Sequence, residues 1–141
     1  MPQIKRRSFG IVPVAFDTNG MPIFLLLRAY GKWDFPKGGA DPEEGPLIAA
    51  LREMREETGI QDAIFEWGEL SMDTTIYATD KIATYFVARV EKKKIVLPIS
   101  AELGHPEHDE YCWASANEAR TLLSARLIPI LDWAKGLLAK Q

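Results

Sequence analysis

Cysteine is nearly missing: Cys112 stands alone, so no internal disulfide can form. That fits a reducing compartment and makes the cytoplasm the expected location. Long hydrophobic runs are missing too. Uninterrupted apolar stretches are short, Ile23 to Leu27 for example, which excludes a membrane-spanning helix. Nor does charge of one sign dominate: 17 Lys and Arg against 20 Asp and Glu leave a net charge of −3. A generic polyanion-binding surface is thereby excluded, and any phosphate chemistry must rest on a local site. No internal repeat, linker or low-complexity tract occurs. Lys5-Arg6-Arg7 followed by the apolar run Phe9 to Phe16 has the outline of a leader peptide. Pro13 interrupts that run, Asp17 ends it and no small-x-small cleavage pattern follows, so it reads as a first strand. What remains is an ordinary globular composition of 141 residues, 47% apolar and 26% charged. One domain over 1–141 is expected, with a core large enough to need neither disulfide nor structural metal.

Ser8 to Phe16 and Pro22 to Arg28 are β-type runs around the turn cluster Asp17-Thr18-Asn19-Gly20, which predicts a hairpin. Gly31 to Gly45 follows as a Gly- and Pro-rich segment without regular periodicity, long enough to suggest a functional loop. Pro46 suits the first position of a helix, with Glu43 and Glu44 near its positive end and Gly59 as its stop. Leu47, Ala50, Leu51 and Met54 form its apolar stripe. Further strands are predicted at Ala63 to Leu70, Thr74 to Ala78, Ile82 to Val90 and Tyr111 to Ala114, with Glu91 to Lys94 as a solvated hairpin tip. Leu127, Ile130, Leu131, Ala134, Leu137 and Leu138 mark a C-terminal helix facing the core. The pattern is α/β: a mixed sheet sandwiched between helices.

Chemistry concentrates in Gly38 to Ile60. Glu53, Glu56 and Glu57 lie at i, i+3 and i+4, near 0°, −60° and +40° around the helix at about 100° per residue. They make a face of their own, roughly 115° from the apolar stripe. Like charges so spaced cost a bare helix a few tenths of a kcal/mol per pair. A divalent cation removes that cost, and clustered carboxylate oxygens suit hard Mg²⁺ or Mn²⁺. A plain solvated helix face, with Arg52 and Arg55 as counter-ions, is the usual meaning of such a triplet.

The surrounding residues decide against that plain meaning. Gly38, Glu44, Arg52, Glu53, Glu56, Glu57 and Gly59, with aliphatic Met54 and Ile60, fill every fixed position of G-x5-E-x7-R-E-U-x-E-E-x-G-U, where U is aliphatic. Chance gives that match less than about once in 10⁸ start positions. The segment resembles the signature of the Nudix hydrolases. This resemblance implies an α/β/α sandwich in which the motif forms a loop–helix–loop. It implies metal-dependent hydrolysis of a nucleoside diphosphate linked to another group. Glu53, Glu56 and Glu57 would then hold Mg²⁺ or Mn²⁺, the Gly38 carbonyl would add a ligand, Arg52 would orient the glutamates and Glu44 would brace the loop.

Outside the motif, Trp33 to Gly39 (WDFPKGG) is similar to dinucleoside polyphosphate hydrolases and, less closely, to RNA 5′-pyrophosphohydrolases. Tyr77, 17 residues past the motif, fits a tyrosine of the former, expected to stack on a base. His105 to Trp113 (HPEHDEYCW) resembles the late loop-strand of animal-type diadenosine tetraphosphate hydrolases, with Glu107 four residues before Tyr111. Lys81 matches a lysine of the same group. Glu107 is expected as an extra metal ligand or general base, Lys37 and Lys81 as phosphate ligands, and Tyr77 and Tyr111 as base contacts. His105 and His108 are expected to be exposed loop residues, and Cys112 a packing residue rather than a zinc ligand. The favoured expectation is a monomeric enzyme that cleaves diadenosine tetraphosphate asymmetrically into ATP and AMP. RNA 5′-pyrophosphohydrolysis, diphosphoinositol polyphosphate hydrolysis and a non-catalytic nucleotide sensor are the alternatives.

Overall fold

The computed structural model describes residues 6–139, so Lys5 of the leader-like start lies outside the described residues. Its centre is β1 (Arg6–Phe16), whose alternation sends Val12 and Val14 to one face and Ile11 and Ala15 to the other. β2 (Pro22–Ala29) returns antiparallel across the expected turn, with Val14 opposite Phe24. On the other side β6 (Lys81–Arg89) runs parallel to β1 along its length, from Arg6 opposite Lys81 to Val14 opposite Arg89. β5 (Ser71–Asp73) flanks β6, and β3 (Lys32–Asp34) and β7 (Glu110–Ser115) both pair with β2.

The two faces are covered by different helices. Helix α1 (Pro46–Thr58) buries Ala50 and Met54 against Ile11, Leu25 and Phe86, with Leu47 and Leu51 half-buried beside them. On the opposite face α2 (Ala116–Leu122), a single 3-10 turn at Ala125–Leu127 and α3 (Ile128–Leu138) pack Leu127, Ile130, Leu131 and Ala134 onto Phe24, Leu26 and Tyr85. α2 begins with a reciprocal cap: Ser115 Oγ accepts from Glu118 N, and the Glu118 carboxylate accepts from Ser115 N. The α/β sandwich read from the sequence is therefore present.

Several local readings are corrected. Gly31 to Gly45 is not all loop, because it holds β3 and β4 (Lys37–Gly39), the latter hydrogen-bonded to the Ser8–Gly10 end of β1. Ala63 to Leu70 is not a strand; Ile64 makes an isolated bridge to Arg89, and Gly68, at φ 95°, turns the chain into β5. Thr74 to Ala78 is a turn instead: Tyr77 bridges Lys81, with Ala78 and Thr79 at positive φ. Glu91 to Lys94 tips no hairpin, since 91–109 contains no strand or helix and the next ladder is β2 with β7. Ala63 to Leu70 and Thr74 to Ala78 meet a partner only at isolated bridges, so no ladder forms there.

Candidate active site

Close approach of backbones builds this site. A Cβ on Gly10 would lie 2.5 Å from the Pro36 carbonyl oxygen and 2.7 Å from Lys37 Cβ, so only glycine lets β4 lie this near β1. On the other side of β4, a Cβ on Gly38 would fall 2.2 Å from the Glu53 carboxyl carbon. The two glycines press α1 and its acids onto the β4 backbone. At the end of α1, Gly59 in the left-handed conformation, φ 80°, returns its N–H to the Arg55 carbonyl at 2.8 Å.

Arg52 organises the acids. Its Nε donates to Glu44 Oε2 at 2.8 Å, and its Nη2 donates to Glu44 Oε1 at 3.0 Å and to the Gly39 carbonyl at 2.8 Å. Its Nη1 donates to Glu53 Oε1 and Glu56 Oε2, both at 3.0 Å. Hydrogen bonds from Arg52, and then from Asp41 N, lower the Glu44 pKa, so this acid braces the loop as a carboxylate.

Glu57 departs from the picture of a solvated acidic face. The residue is 5% exposed, and its Oε2 is buried with no hydrogen-bond partner. Oε1 accepts only a long bond, 3.3 Å, from Lys37 N. Burial first, then the charge of Glu107, then the contact with Glu53 push its pKa up to about 10. Burial likewise raises Glu53. Glu53 has Arg52 as a counter-ion, but Glu57 is short of positive charge.

The three helix glutamates border one cleft but are held differently. Glu53 and Glu57 meet, while Glu56 is half exposed and held by Arg52. Among the described residues, no three His, Cys, Asp or Glu side chains are gathered tightly enough to hold a metal ion. The donor set nevertheless suits a hard cation: an orphaned buried carboxylate oxygen and two upshifted acids lack what such an ion supplies.

These groups border a cleft of about 540 Å³. Lys37, Gly38, Gly39 and the three glutamates line it together with Leu97–Glu102, Glu107 and His108. Lys37 and Glu107 therefore meet the motif, as the sequence suggested. His108 does not lie exposed with His105: its side chain is 12% exposed, with Nε2 3.8 Å from Glu57 Oε1. Burial lowers its pKa and favours the neutral ring. Cys112 is half-buried against the core, where burial raises the thiol pKa, in keeping with packing.

Tyr77, Lys81 and Tyr111 are not brought to this cleft. Tyr111 packs half-buried on the α1 side of the sheet, and Lys81 bridges Tyr77 at the start of β6. One face of the Tyr77 ring is already covered by the Arg126 guanidinium, 3.9 Å from the ring centroid. Arg126 also donates to Asp34 Oδ2 at 3.1 Å. Sequence reading missed Asp34, Arg126 and His108. Asp34 stood within the singled-out WDFPKGG, but Arg126 joins it across 92 residues, a contact no local pattern signals.

The profile of the NUDIX domain matches residues 4–134. A Mus musculus protein named bis(5′-nucleosyl)-tetraphosphatase [asymmetrical] is 35% identical over 102 residues, covering 68% of this chain and 66% of that protein, just under two thirds of its length. An RNA pyrophosphohydrolase of Bartonella henselae is 53% identical over a shorter stretch of 63 residues, 40% of this chain and 36% of that protein. Among solved structures, a C. elegans Ap4A hydrolase binary complex superposes with a TM-score of 0.79 at 23% identity, covering 97% of this chain and all of that one (100%). The likeness to that structure establishes the fold.

Proposed function

The chain belongs to the Nudix hydrolase family, and we propose that it cleaves diadenosine tetraphosphate asymmetrically, giving ATP and AMP. The observation carrying the chemistry is the paired Glu53 and buried Glu57 at the foot of a cleft whose rim holds Lys37. The choice of substrate is supported by similarity to the mouse tetraphosphatase and by Lys37 beside the acids.

Mg²⁺ or Mn²⁺ would be held by Glu53, Glu56 and Glu57, with the Gly38 carbonyl and Glu107, supplying charge neutralisation and an acidified water. Around it, Arg52 fixes Glu53 and keeps Glu56 within reach of the same region. The Lys37 ammonium binds an outer phosphate, leaving the phosphorus to be attacked nearer the acids. Water attacks that phosphorus in line, the bridging P–O bond breaks, and the leaving phosphate departs with the bond's electron pair. Glu107, which lines the same cleft, takes the proton from the attacking water. Tyr77 and Tyr111 lie outside the cleft lining, so they contact the nucleosides only where these extend beyond it, and for Tyr77 this requires either its uncovered face or displacement of Arg126. We place this activity in the cytoplasm and in a single copy of the chain.

Hydrolysis in ¹⁸O-labelled water with Mg²⁺, followed by chromatography, tests the proposal. ATP and AMP are expected; two ADP molecules would refute the off-centre grip. The local likeness to the Bartonella enzyme favours a second reading, pyrophosphate release from RNA 5′-triphosphate. Turnover of that RNA without turnover of diadenosine tetraphosphate would put it first.

A further inference from the structure

Asp34 lies outside the cleft lining, and its carboxylate has no part in the chemistry above. Asp34 occupies the end of β3, three residues before Lys37, and the chain reverses between them through Phe35 and Pro36. Four donors converge on its carboxylate. Oδ1 accepts from Phe35 N at 2.6 Å and from the hydroxyl of fully buried Tyr85 at 2.7 Å. Oδ2 receives Arg126 Nη2 at 3.1 Å and the Lys37 ammonium at 3.5 Å. All three ionic side chains are largely shielded, at 18% exposure for Asp34, 23% for Arg126 and 24% for Lys37.

This is a fixed carboxylate, not a surface ion pair. Phe35 N and Tyr85 OH hold one oxygen against the sheet, so the other has a set position. Two cations share its Oδ2: Lys37, which lines the cleft, and Arg126, which stacks on Tyr77. Lys37 is long and flexible, and a free lysine would lose considerable rotamer freedom on gripping a phosphate. An anchored anion beside it restricts that freedom beforehand, while also competing with phosphate for the same charge.

We propose that Asp34 is a positioning residue for phosphate recognition, fixing the Lys37 ammonium at the cleft and tying it to the Arg126–Tyr77 pair. The inference rests on the reading of Lys37 as a phosphate ligand. It requires an opposed pair of effects on loss of the charge. Asp34→Asn keeps the shape but frees both cations, so anions bind more tightly while Lys37 loses its set position.

The test is a double-mutant cycle of wild type, Asp34→Asn, Lys37→Ala and the double variant. Calorimetry with inorganic tripolyphosphate and Mg²⁺ gives Kd, and turnover of diadenosine tetraphosphate gives kcat. Asp34→Asn should lower Kd about threefold or more and lower kcat about tenfold, with both effects shrinking below about twofold in the Lys37→Ala background. Equal effects in the two backgrounds, or none in either, would overturn the proposal, because a structural acid would not act through Lys37. Should Asp34→Asn fail to fold by circular dichroism, Asp34→Glu keeps the charge and moves the carboxylate. It should then lower kcat without tightening Kd, again only while Lys37 is present; any other pattern counts against the proposal. If the wild type leaves diadenosine tetraphosphate intact, the substrate reading fails, while the tripolyphosphate cycle still decides the role of Asp34.

Discussion

Replacing Glu57 with glutamine should stabilise the metal-free protein, and increasingly so as pH rises. Glu57 is 5% exposed, its Oε2 has no partner, and burial together with Glu107 and Glu53 raises its pKa to about 10. In the unfolded chain the same carboxyl titrates near about 4.3. The folded value is the higher one, so folding favours the protonated form. Below the unfolded pKa the group costs nothing; above it, each pH unit removes up to about 1.4 kcal/mol until the folded value is reached. Between pH 6 and 8 the loss reaches up to about 3 kcal/mol. Glu57→Gln is neutral throughout. Its carbonyl still accepts from Lys37 N. Thermal denaturation in chelator, from pH 6 to pH 8, should show the variant's Tm advantage widening by roughly 5–10 °C. Added Mg²⁺ should narrow the gap by favouring the wild-type carboxylate, while the variant's kcat falls at least about a hundredfold. Parallel Tm curves across pH would refute the reasoning, since a solvated Glu57 would carry no such linkage.

Two glycine substitutions separate catalysis from folding. Gly38→Ala puts a methyl where the Glu53 carboxylate now lies, so it should lower kcat at least about tenfold through displacement of that acid. Its Tm should fall by only a few degrees, because the end of one side chain must move; unchanged steady-state kinetics would sink the idea that this contact sets Glu53. Gly10→Ala meets the Pro36 carbonyl oxygen at 2.5 Å and the Tyr85 ring at 2.9 Å. Backbone and a fully buried ring cannot yield as cheaply, so urea denaturation should show a loss of about 2–3 kcal/mol. A loss below about 0.5 kcal/mol would mean that β4 is not pressed onto β1 as described.

Legibility of the sequence followed the range of the interactions. The Pro46–Thr58 helix was readable because its stripe, its proline start and its Gly59 stop all lie within a few residues. The same holds for β1, β2, β6 and β7, each a run of apolar or β-branched residues long enough to declare its period. Ala63 to Leu70 and Thr74 to Ala78 misled because β propensity needs a continuous partner, and β6 meets them only at the isolated bridges Ile64–Arg89 and Tyr77–Lys81. Conversely, β3 and β4 are short strands that exist only because β2 and β1 offer open edges. At the site, the glutamates, Arg52, Lys37 and Glu107 were legible from spacing and family likeness. The burial of Glu57 was not, since the helix wheel marks it as polar while the adjoining β4 and the His108 loop cover it.

Two shielded carboxyls near the cleft are treated in opposite ways, and the contrast locates function. Asp34 receives four donors, two of them cations, so its charge is fully compensated before any ligand arrives. Glu57 receives one long hydrogen bond and faces two other acids, so its charge is resisted by everything around it. Glu57 sits on the helix that Gly38 lets press onto β4, so its lack of partners does not come from loose packing. A chain that can satisfy one acid so completely, three residues from the lysine whose N–H reaches the other, leaves the second short of positive charge at the position where a substrate's cation would enter. Unsatisfied polarity concentrated at one place in an otherwise consistent fold marks a site for a ligand. Adding positive charge beside Glu57 by His108→Lys should therefore stabilise the metal-free protein and weaken its response to Mg²⁺. If that variant instead melts lower and responds to Mg²⁺ as the wild type does, Glu57 is not the acid awaiting a cation.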